Sequence, residues 1–439
     1  MYEIEALVGR QAVDALDLEA LEMAVRQQVL QLAARAVEQR LNADTSDHTG
    51  PCLPCPCGGE ARYAGRRSKH FHSALGALQW QRAYYHCGSC GGGFCPRDRT
   101  LGLENSSLSP AVARMVGTVG ALVSFQEGST LLQELAGVAV DAKQVERTAE
   151  GLGAEIAADE RRDTQPAHDD LPLSGTLYLG IDGTGVPLRA EELAGRAGKQ
   201  SDGSAKTREV KLCTVWSAES RDERGTPVRD EGSVTYSAAL ESAATPDTAS
   251  QRSEFSERVW REATRRRFPQ APRPVVLGDG APWIWNVAAD LFPQARQIVD
   301  RFHAKEHLSN LAKTLYGPAD PRAPAWARRR HQELDTGRFR ALLAAVRRHA
   351  SICEAARRTL HSFQTNRHRM RYPEFHAQGL CTSTGVVEAG CKVAIGTRLK
   401  RAGMHWTLDG ANAIIALRCC KLSGRFQDFW ERRSTPSAA

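Results

Sequence analysis

Three acidic residues, far apart in the chain, stand where a fold could use them for chemistry. Residues 177–186 (LYLGIDGTGV) are an apolar run that delivers Asp182 and then a glycine-rich turn. Residues 274–280 (PVVLGDG) repeat the pattern with Asp279, and residues 383–398 read as a helix carrying Glu388. Short apolar runs bounded by glycine predict buried strands. A carboxylate at the carboxyl end of such a strand lies where open α/β sheets bind ligands. Three carboxylates around one point repel each other unless cations neutralise them, and hard oxygen ligands select Mg²⁺ or Mn²⁺. Two such ions, about 3.5–4 Å apart, activate a water or a 3′-hydroxyl and steady the leaving oxygen of a phosphodiester. Lys392 follows Glu388 by four residues and so shares its helix face; with Arg398, Lys400 and Arg401 it puts cations beside the acids, which suits a phosphate substrate. Taken one at a time, Asp182 and Asp279 also fit turn caps, and Glu388 fits a surface ion pair with Lys392.

A second constellation is made of sulfur. Cys52, Cys55 and Cys57 are followed about thirty residues later by Cys87 and Cys90, and then by Cys95. Two cysteine knuckles joined by a strand-rich segment predict a zinc ribbon, in which four thiolates bind one Zn²⁺ tetrahedrally. Five cysteines compete for the four places: Cys52, Cys55, Cys57, Cys87 and Cys90. Between the knuckles Arg62, Arg66, Arg67, Lys69 and Arg82 mix with Tyr63, Phe71, Trp80, Tyr84 and Tyr85, a face suited to a phosphate backbone or simply to solvent.

The elements that must position these groups follow in order. Residues 1–45 form an N-terminal helical arm, with an amphipathic pattern from residue 4. Residues 50–105 form the zinc-ribbon-like domain. Residues 106–160 are helical: a short helix closed by Gly137, a turn, and a helix capped by Asp141 make a helix-turn-helix-like pattern in which Lys143, Gln144 and Arg147 would face DNA. Residues 158–173 are a linker by composition. Strands then alternate with crossover helices from 174 to 300, predicting an α/β core with a mixed or parallel sheet. Residues 301–380, helical and arginine-rich, are too long for a connection and form a helical insertion. Residues 381–430 return to the core, their helix loosened at Gly390 and Gly396.

The 439 residues allow two to four domains, and 41% hydrophobic content supports real cores. The net charge of +7, from 58 Lys and Arg against 51 Asp and Glu, permits a polyanionic partner without requiring one. No leader or membrane-length apolar run is visible, so a cytoplasmic, nucleoid-associated protein is expected. Twelve cysteines in a reducing compartment then point to metal rather than disulfides.

Eight segments, in order along nearly the whole chain, carry a resemblance: 55–59 (CPCGG), 82–87 (RAYYHC), 101–104 (LGLE), 182–187 (DGTGVP), 206–211 (KTREVK), 277–281 (LGDGA), 299–303 (VDRFH) and 387–392 (VEAGCK). Together they resemble the DDE transposases of bacterial insertion sequences, specifically the ISKra family. The resemblance implies an RNase H-like catalytic core interrupted by a helical insertion. It implies Asp182, Asp279 and Glu388 as ligands of two Mg²⁺ or Mn²⁺ ions. It also matches Asp300 and His303 to a motif near the active site of related transposases. DNA partners follow, both terminal inverted repeats and target, with a homodimer or larger complex to bring two ends together. A catalytically inactive DNA-binding descendant is the alternative. A haloacid-dehalogenase-type phosphatase is excluded, because the position of its aspartyl nucleophile is Gly180.

Overall fold

The structure is a computed structural model that describes residues 17–162, 173–198, 200, 203–223, 225–243 and 252–434. The expected start of the first helix at residue 4 lies outside the described residues, as does 163–172 of the expected linker. The chain divides into two compact units, Met1–Gly151 with Gln427–Ala439, and Leu152–Phe426.

In the first unit α1 (Leu18–Ala43) starts at Asp17, whose side chain accepts a hydrogen bond from the Ala20 amide at 3.2 Å. Its apolar residues do not gather into one covered stripe: Ala34 is buried, whereas Leu18, Met23, Val29 and Leu32 stay exposed. Four antiparallel strands follow in spatial order β1 (Cys52–Pro54), β2 (Glu60–Ser73), β3 (Gly76–Cys87) and β4 (Gly93–Phe94). Leu78, Trp80 and Tyr85 of β3 are buried. Helices α2 (Pro110–Leu122) and α3 (Phe125–Leu131) come next. A π-helical turn, Leu132–Ala136, ends at Gly137, whose φ of 70° is the left-handed conformation that glycine supplies without strain. Helix α4 (Ala142–Arg162) begins in this unit, belongs to the second from Leu152 onward, and runs into the stretch expected to be linker.

The second unit is mixed α/β. Its five-stranded sheet contains β5 (Thr176–Pro187), β6 (Thr207–Ser217), β7 (Thr235–Ala239), β8 (Arg273–Gly278) and β9 (Arg296–Val299), in spatial order β7-β6-β5-β8-β9. The first three pair antiparallel; β8 and β9 run parallel to β5. Among its helices are α5 (Glu254–Arg265), α6 (Pro282–Leu291), α7 (Arg301–Tyr316), α8 (Arg322–Asp335), α9 (Phe339–Ala350), α10 (Glu354–Thr365), α11 (Tyr372–Ala377), α12 (Gly385–Gly390) and α13 (Leu408–Leu422). Five of them, α7 to α11, occupy the expected helical insertion, and their apolar residues Leu308, Leu334, Leu342 and Phe363 join the core cluster built on the sheet.

Two faces of the sheet are distinguished by their glycines. A Cβ on Gly180 would come within 2.0 Å of Val387 on α12, and one on Gly278 within 2.9 Å of Ile284 on α6. Because side chains alternate along a strand, Gly180 and its register partner Leu277 face α12, and Gly278 faces α6.

The strand containing Asp182 does not end there. Residues 183–187 continue extended, paired with Thr207–Lys211 of β6. The expected glycine turn is instead a close cross-strand approach: a Cβ on Gly183 would meet Glu209 at 2.6 Å and one on Gly185 would meet Thr207 at 2.8 Å. Toward β8, however, the last pair is Gly180 with Leu277. Asp182 therefore projects past the parallel half of the sheet, at its rim.

Candidate functional site

The rim is assembled by strand parity and close helix packing. Asp182 has the parity of Gly180, so its carboxylate leaves the sheet toward the α12 side, and Asp279 directly follows the last residue of β8, Gly278. Two glycines let α12 settle onto this face: Gly180 beneath Val387, and Gly390, whose Cβ would press on Tyr236, Leu212 and Thr214 at 3.0–3.2 Å. That contact carries Glu388 in from the end of a separate segment, with its side chain 53% exposed.

Asp182 is half-buried and accepts from its neighbour's amide, Gly183 N–H, at 2.7 Å and from Cys391 Sγ at 3.4 Å. Burial pushes its pKa up, and the charge of Asp279 adds to that. Asp279 Oδ1 accepts from the Ala281 amide at 2.8 Å, a local turn bond. Two carboxylates driven together without a cation between them are what a divalent ion would relieve.

The tightest acid group is a different one. Asp300, His303 and Glu388 offer ligand atoms that all lie within 4.8 Å of one another, whereas Asp182, Asp279 and Glu388 do not form such a group among the described residues. Asp300 caps α7 and is completely buried. Its Oδ1 accepts from the His303 amide at 2.6 Å, and its Oδ2 accepts from Thr384 Oγ1 at 2.7 Å and from the Thr384 amide. Burial would raise this carboxyl's pKa, but the donations from His303 and Thr384 hold it below the usual carboxylate range. Its lone pairs are committed, so its part is to fasten the start of α7 to the start of α12. His303 Nδ1 lies 3.5 Å from both Asp300 Oδ1 and Glu388 Oε1, the outer limit of a hydrogen bond. Contact with Asp300 pushes the imidazole up to about 9 against the cost of burial, with Glu388 and Asp279 adding to the shift. A positive charge thus stands beside Glu388, and Thr384 Oγ1 approaches the same Oε1 at 3.2 Å.

The expected cations are distributed unevenly. Lys392 is exposed but makes no ion pair with Glu388, because the helix widens to π spacing over Cys391–Gly396 and breaks the four-residue repeat. Lys400 reaches across to Thr184 Oγ1, and Arg401 is exposed. Arg398 corrects the sequence expectation. It is fully buried, its guanidinium over the Trp406 ring at 5.2 Å and against Met404 Sδ at 3.6 Å, so it supports the chain rather than meeting a DNA backbone.

In the first unit the sulfur constellation resolves. Cys55, Cys57, Cys87 and Cys90 gather within 4.8 Å, with Cys55 Sγ 3.8 Å from Cys90 Sγ and Cys57 Sγ 3.7 Å from Cys87 Sγ. Four sulfurs on a tetrahedron around zinc, each about 2.3 Å from the ion, stand about 3.8 Å apart, so the spacing fits zinc. Cys52 is excluded because it lies in β1 opposite Arg62. The first knuckle is therefore Cys-x-Cys. The Cys87 thiol is lowered to about 6 by the Cys90 and Ser89 amides, against burial, with Cys57 and Cys55 assisting. The basic ribbon between the knuckles is partly consumed internally: Arg66 pairs with Asp47 at 2.9 Å, Lys69 with Asp98 at 3.2 Å, and Arg67 lies over Tyr84.

The helix-turn-helix-like segment has the expected cap, with Asp141 Oδ1 accepting from the Gln144 amide at 2.9 Å. Of the three residues expected to face DNA, Lys143 pairs with Glu146 at 2.8 Å and Gln144 donates to Ser107 Oγ at 2.7 Å, whereas Arg147 is exposed.

Sequence reasoning missed Thr384 and Cys391. Thr384 lies in no quoted motif, and Cys391 stands in the 387–392 segment without a role assigned to it; only the fold brings them to Asp300 and Asp182. No helix among the described residues is long and apolar enough to cross a membrane. The chain matches no protein-family model and no curated protein. Among solved structures it is similar to the Drosophila P element transposase strand transfer complex, at 12% identity over 77% of this chain and 84% of that one, with a TM-score of 0.26. Likeness at that level does not define a shared fold, and any functional reading rests on the site's own geometry.

Proposed function

We propose that the chain is a DDE transposase of a bacterial insertion sequence, of the ISKra type, cutting and joining DNA strands at element ends. What supports this reading most is that Asp182 lies on β5 while Asp279 directly follows the adjacent strand β8, near enough for its charge to raise the Asp182 pKa, with α12, which bears Glu388, packed over Gly180 of β5. The strand order supports an RNase H-like core: three antiparallel strands and then two parallel ones, interrupted before the last acid by helices α7 to α11. In this reading residues 174–300 and 381–430 are the two parts of the core, 301–380 the insertion, 1–45 the arm, 50–105 the zinc-binding domain and 106–160 a DNA-binding region.

Asp182, Asp279 and Glu388 would hold Mg²⁺ or Mn²⁺; bound there, the ions would supply a nucleophile at neutral pH and charge stabilisation for the leaving oxygen. The chain's own residues do the rest. Asp300 fixes the helix starts, His303 keeps positive charge beside Glu388, and Lys400 adds a cation beside Thr184. Cys55, Cys57, Cys87 and Cys90 would hold a structural Zn²⁺. Two element ends require at least two copies of the chain.

The inactive DNA-binding descendant is the second reading, favoured by one observation: the three acids do not close to within 4.8 Å. End-labelled element DNA with Mg²⁺ separates the two. The transposase nicks it and Asp182→Asn binds without nicking; equal nicking by that variant removes Asp182 from the reaction, and binding without nicking by the natural chain favours the descendant.

A further inference from the structure

The parallel half of the sheet has a second end. Where β8 and β9 begin, opposite the acid rim, a cavity of about 640 Å³ opens between those strand starts and the segment after α10. Its charged lining is Arg273, Arg296, Arg369 and Arg371, with His368 beside them, and no aspartate or glutamate takes part.

Several arginines elsewhere in the unit are neutralised. Arg258 is matched by Glu241 at 2.6 Å, Arg265 by Glu262 at 2.9 Å and Arg301 by Asp335 at 3.0 Å. In the cleft, among the described residues, only Arg371 has a carboxylate, Glu374 at 3.3 Å. Arg273 donates to the Gln378 carbonyl at 3.1 Å. Arg369 is oriented entirely by neutral groups, Gln297 Oε1 at 2.7 Å, Asn366 Oδ1 at 2.8 Å and the Trp285 ring at 4.6 Å, which fix the guanidinium without cancelling its charge. The Arg296 side chain is exposed and makes no hydrogen bond or ion pair among the described residues. Burial, followed by Arg369, Arg371 and Arg367, holds the His368 imidazole below its ordinary value, which reports the positive field there.

We propose that this cleft grips the phosphate backbone of DNA at a place distinct from the carboxylates. Planar guanidiniums set around a concave surface suit phosphate oxygens. The inference deepens the transposase reading and rests on it. Arg273 opens β8 and Asp279 follows its end, six residues on; at about 3.3 Å per residue the cleft is about 20 Å from the rim. At about 3.4 Å per nucleotide that is roughly six nucleotides along a strand. The cleft therefore holds DNA beyond the bond being cut.

The test uses the full chain and a duplex of arbitrary sequence, with binding followed across salt. Each phosphate contact contributes about 0.9 to the slope of log affinity against log salt. Arg273→Gln with Arg296→Gln is expected to lower the slope by about 1.8, so that affinity falls roughly twelvefold less between about 50 and 200 mM salt. Arg296→Gln alone, at an exposed position with no side-chain bond to lose, is expected to lower it by about 0.9. Calorimetry with inorganic pyrophosphate is the second arm. An unchanged slope in both variants overturns the proposal. An unchanged slope with lost pyrophosphate binding also overturns it, assigning the cleft to a small polyphosphate. A reduced slope in a chain that never nicks DNA keeps the cleft and removes the transposase reading; an unchanged slope in a chain whose nicking needs Asp182 does the reverse.

Discussion

Asp300→Asn is the change that most directly tests how the rim is held together. The wild-type carboxylate is completely buried and accepts from His303 N–H, Thr384 N–H and Thr384 Oγ1–H. An asparagine in the same space has one acceptor oxygen and one NH₂ group. Turned either way, it sets donor against donor, facing His303 or facing Thr384. At least one buried N–H then loses its acceptor, at about 1–3 kcal/mol, and the surviving bond loses its ionic character, at about 1 kcal/mol more. A total of about 3 kcal/mol corresponds to a fall in Tm of about 6–12 °C for a body of this size. Thermal melting of Asp300→Asn, Thr384→Val and the double variant measures the coupling directly. The pair is expected to be non-additive by about 1–2 kcal/mol. Strand cleavage should fall further than DNA affinity, because Glu388 is delivered by the fastened helix while backbone contacts lie elsewhere. A Tm within about 2 °C of wild type for Asp300→Asn, together with additive single changes, would refute the fastening role.

Zinc content should follow the sulfur geometry: Cys57→Ser loses the metal by atomic absorption, whereas Cys52→Ser retains it. Gly180→Ala drives a Cβ to 2.0 Å from Val387, so α12 must lift; a loss of about 1–3 kcal/mol in stability and a larger loss of cleavage than of DNA binding are expected. Glu262 is fully buried, yet Arg425 at 2.8 Å and Arg265 at 2.9 Å hold its pKa at about 2 against the ordinary 4.5. A depressed carboxyl contributes stability that is present above pH 4.5 and lost as pH falls through about 2. Denaturant unfolding of Arg425→Met should accordingly lie about 3 kcal/mol below wild type near neutral pH, with the gap closing as pH falls from 4.5 toward 2; a gap independent of pH would contradict the assignment.

Apolar periodicity located the strands carrying Asp182 and Asp279, the helices of 301–380 and the closing helix, now α13, because burial imposes those patterns directly. It misplaced the end of β5, since glycine signals a turn and a close strand approach alike, and only the partner β6 decides between them. Helical spacing put Lys392 on the face of Glu388; the π segment over Cys391–Gly396 breaks that repeat and leaves no mark in the apolar pattern. Cysteine counting found the zinc-binding candidates but not which four, because Cys52 is removed by strand pairing rather than by spacing. Arginine content marked 301–380 as basic, yet the unbalanced cleft draws on three separate segments and has no signature in any one of them.

The Arg301 amide donates to the Thr382 carbonyl at 3.0 Å, and Asp300 bonds Thr384 beside it. The eighty-residue excursion between these points leaves the sheet and returns to it through the same doorway. Between the two ends of that doorway, Leu334, Leu342 and Phe363 of α8, α9 and α10 reach the core built on the sheet. The excursion is thus clamped at its mouth and anchored along its length, so a disturbance in any of its helices reaches the residues that set Glu388.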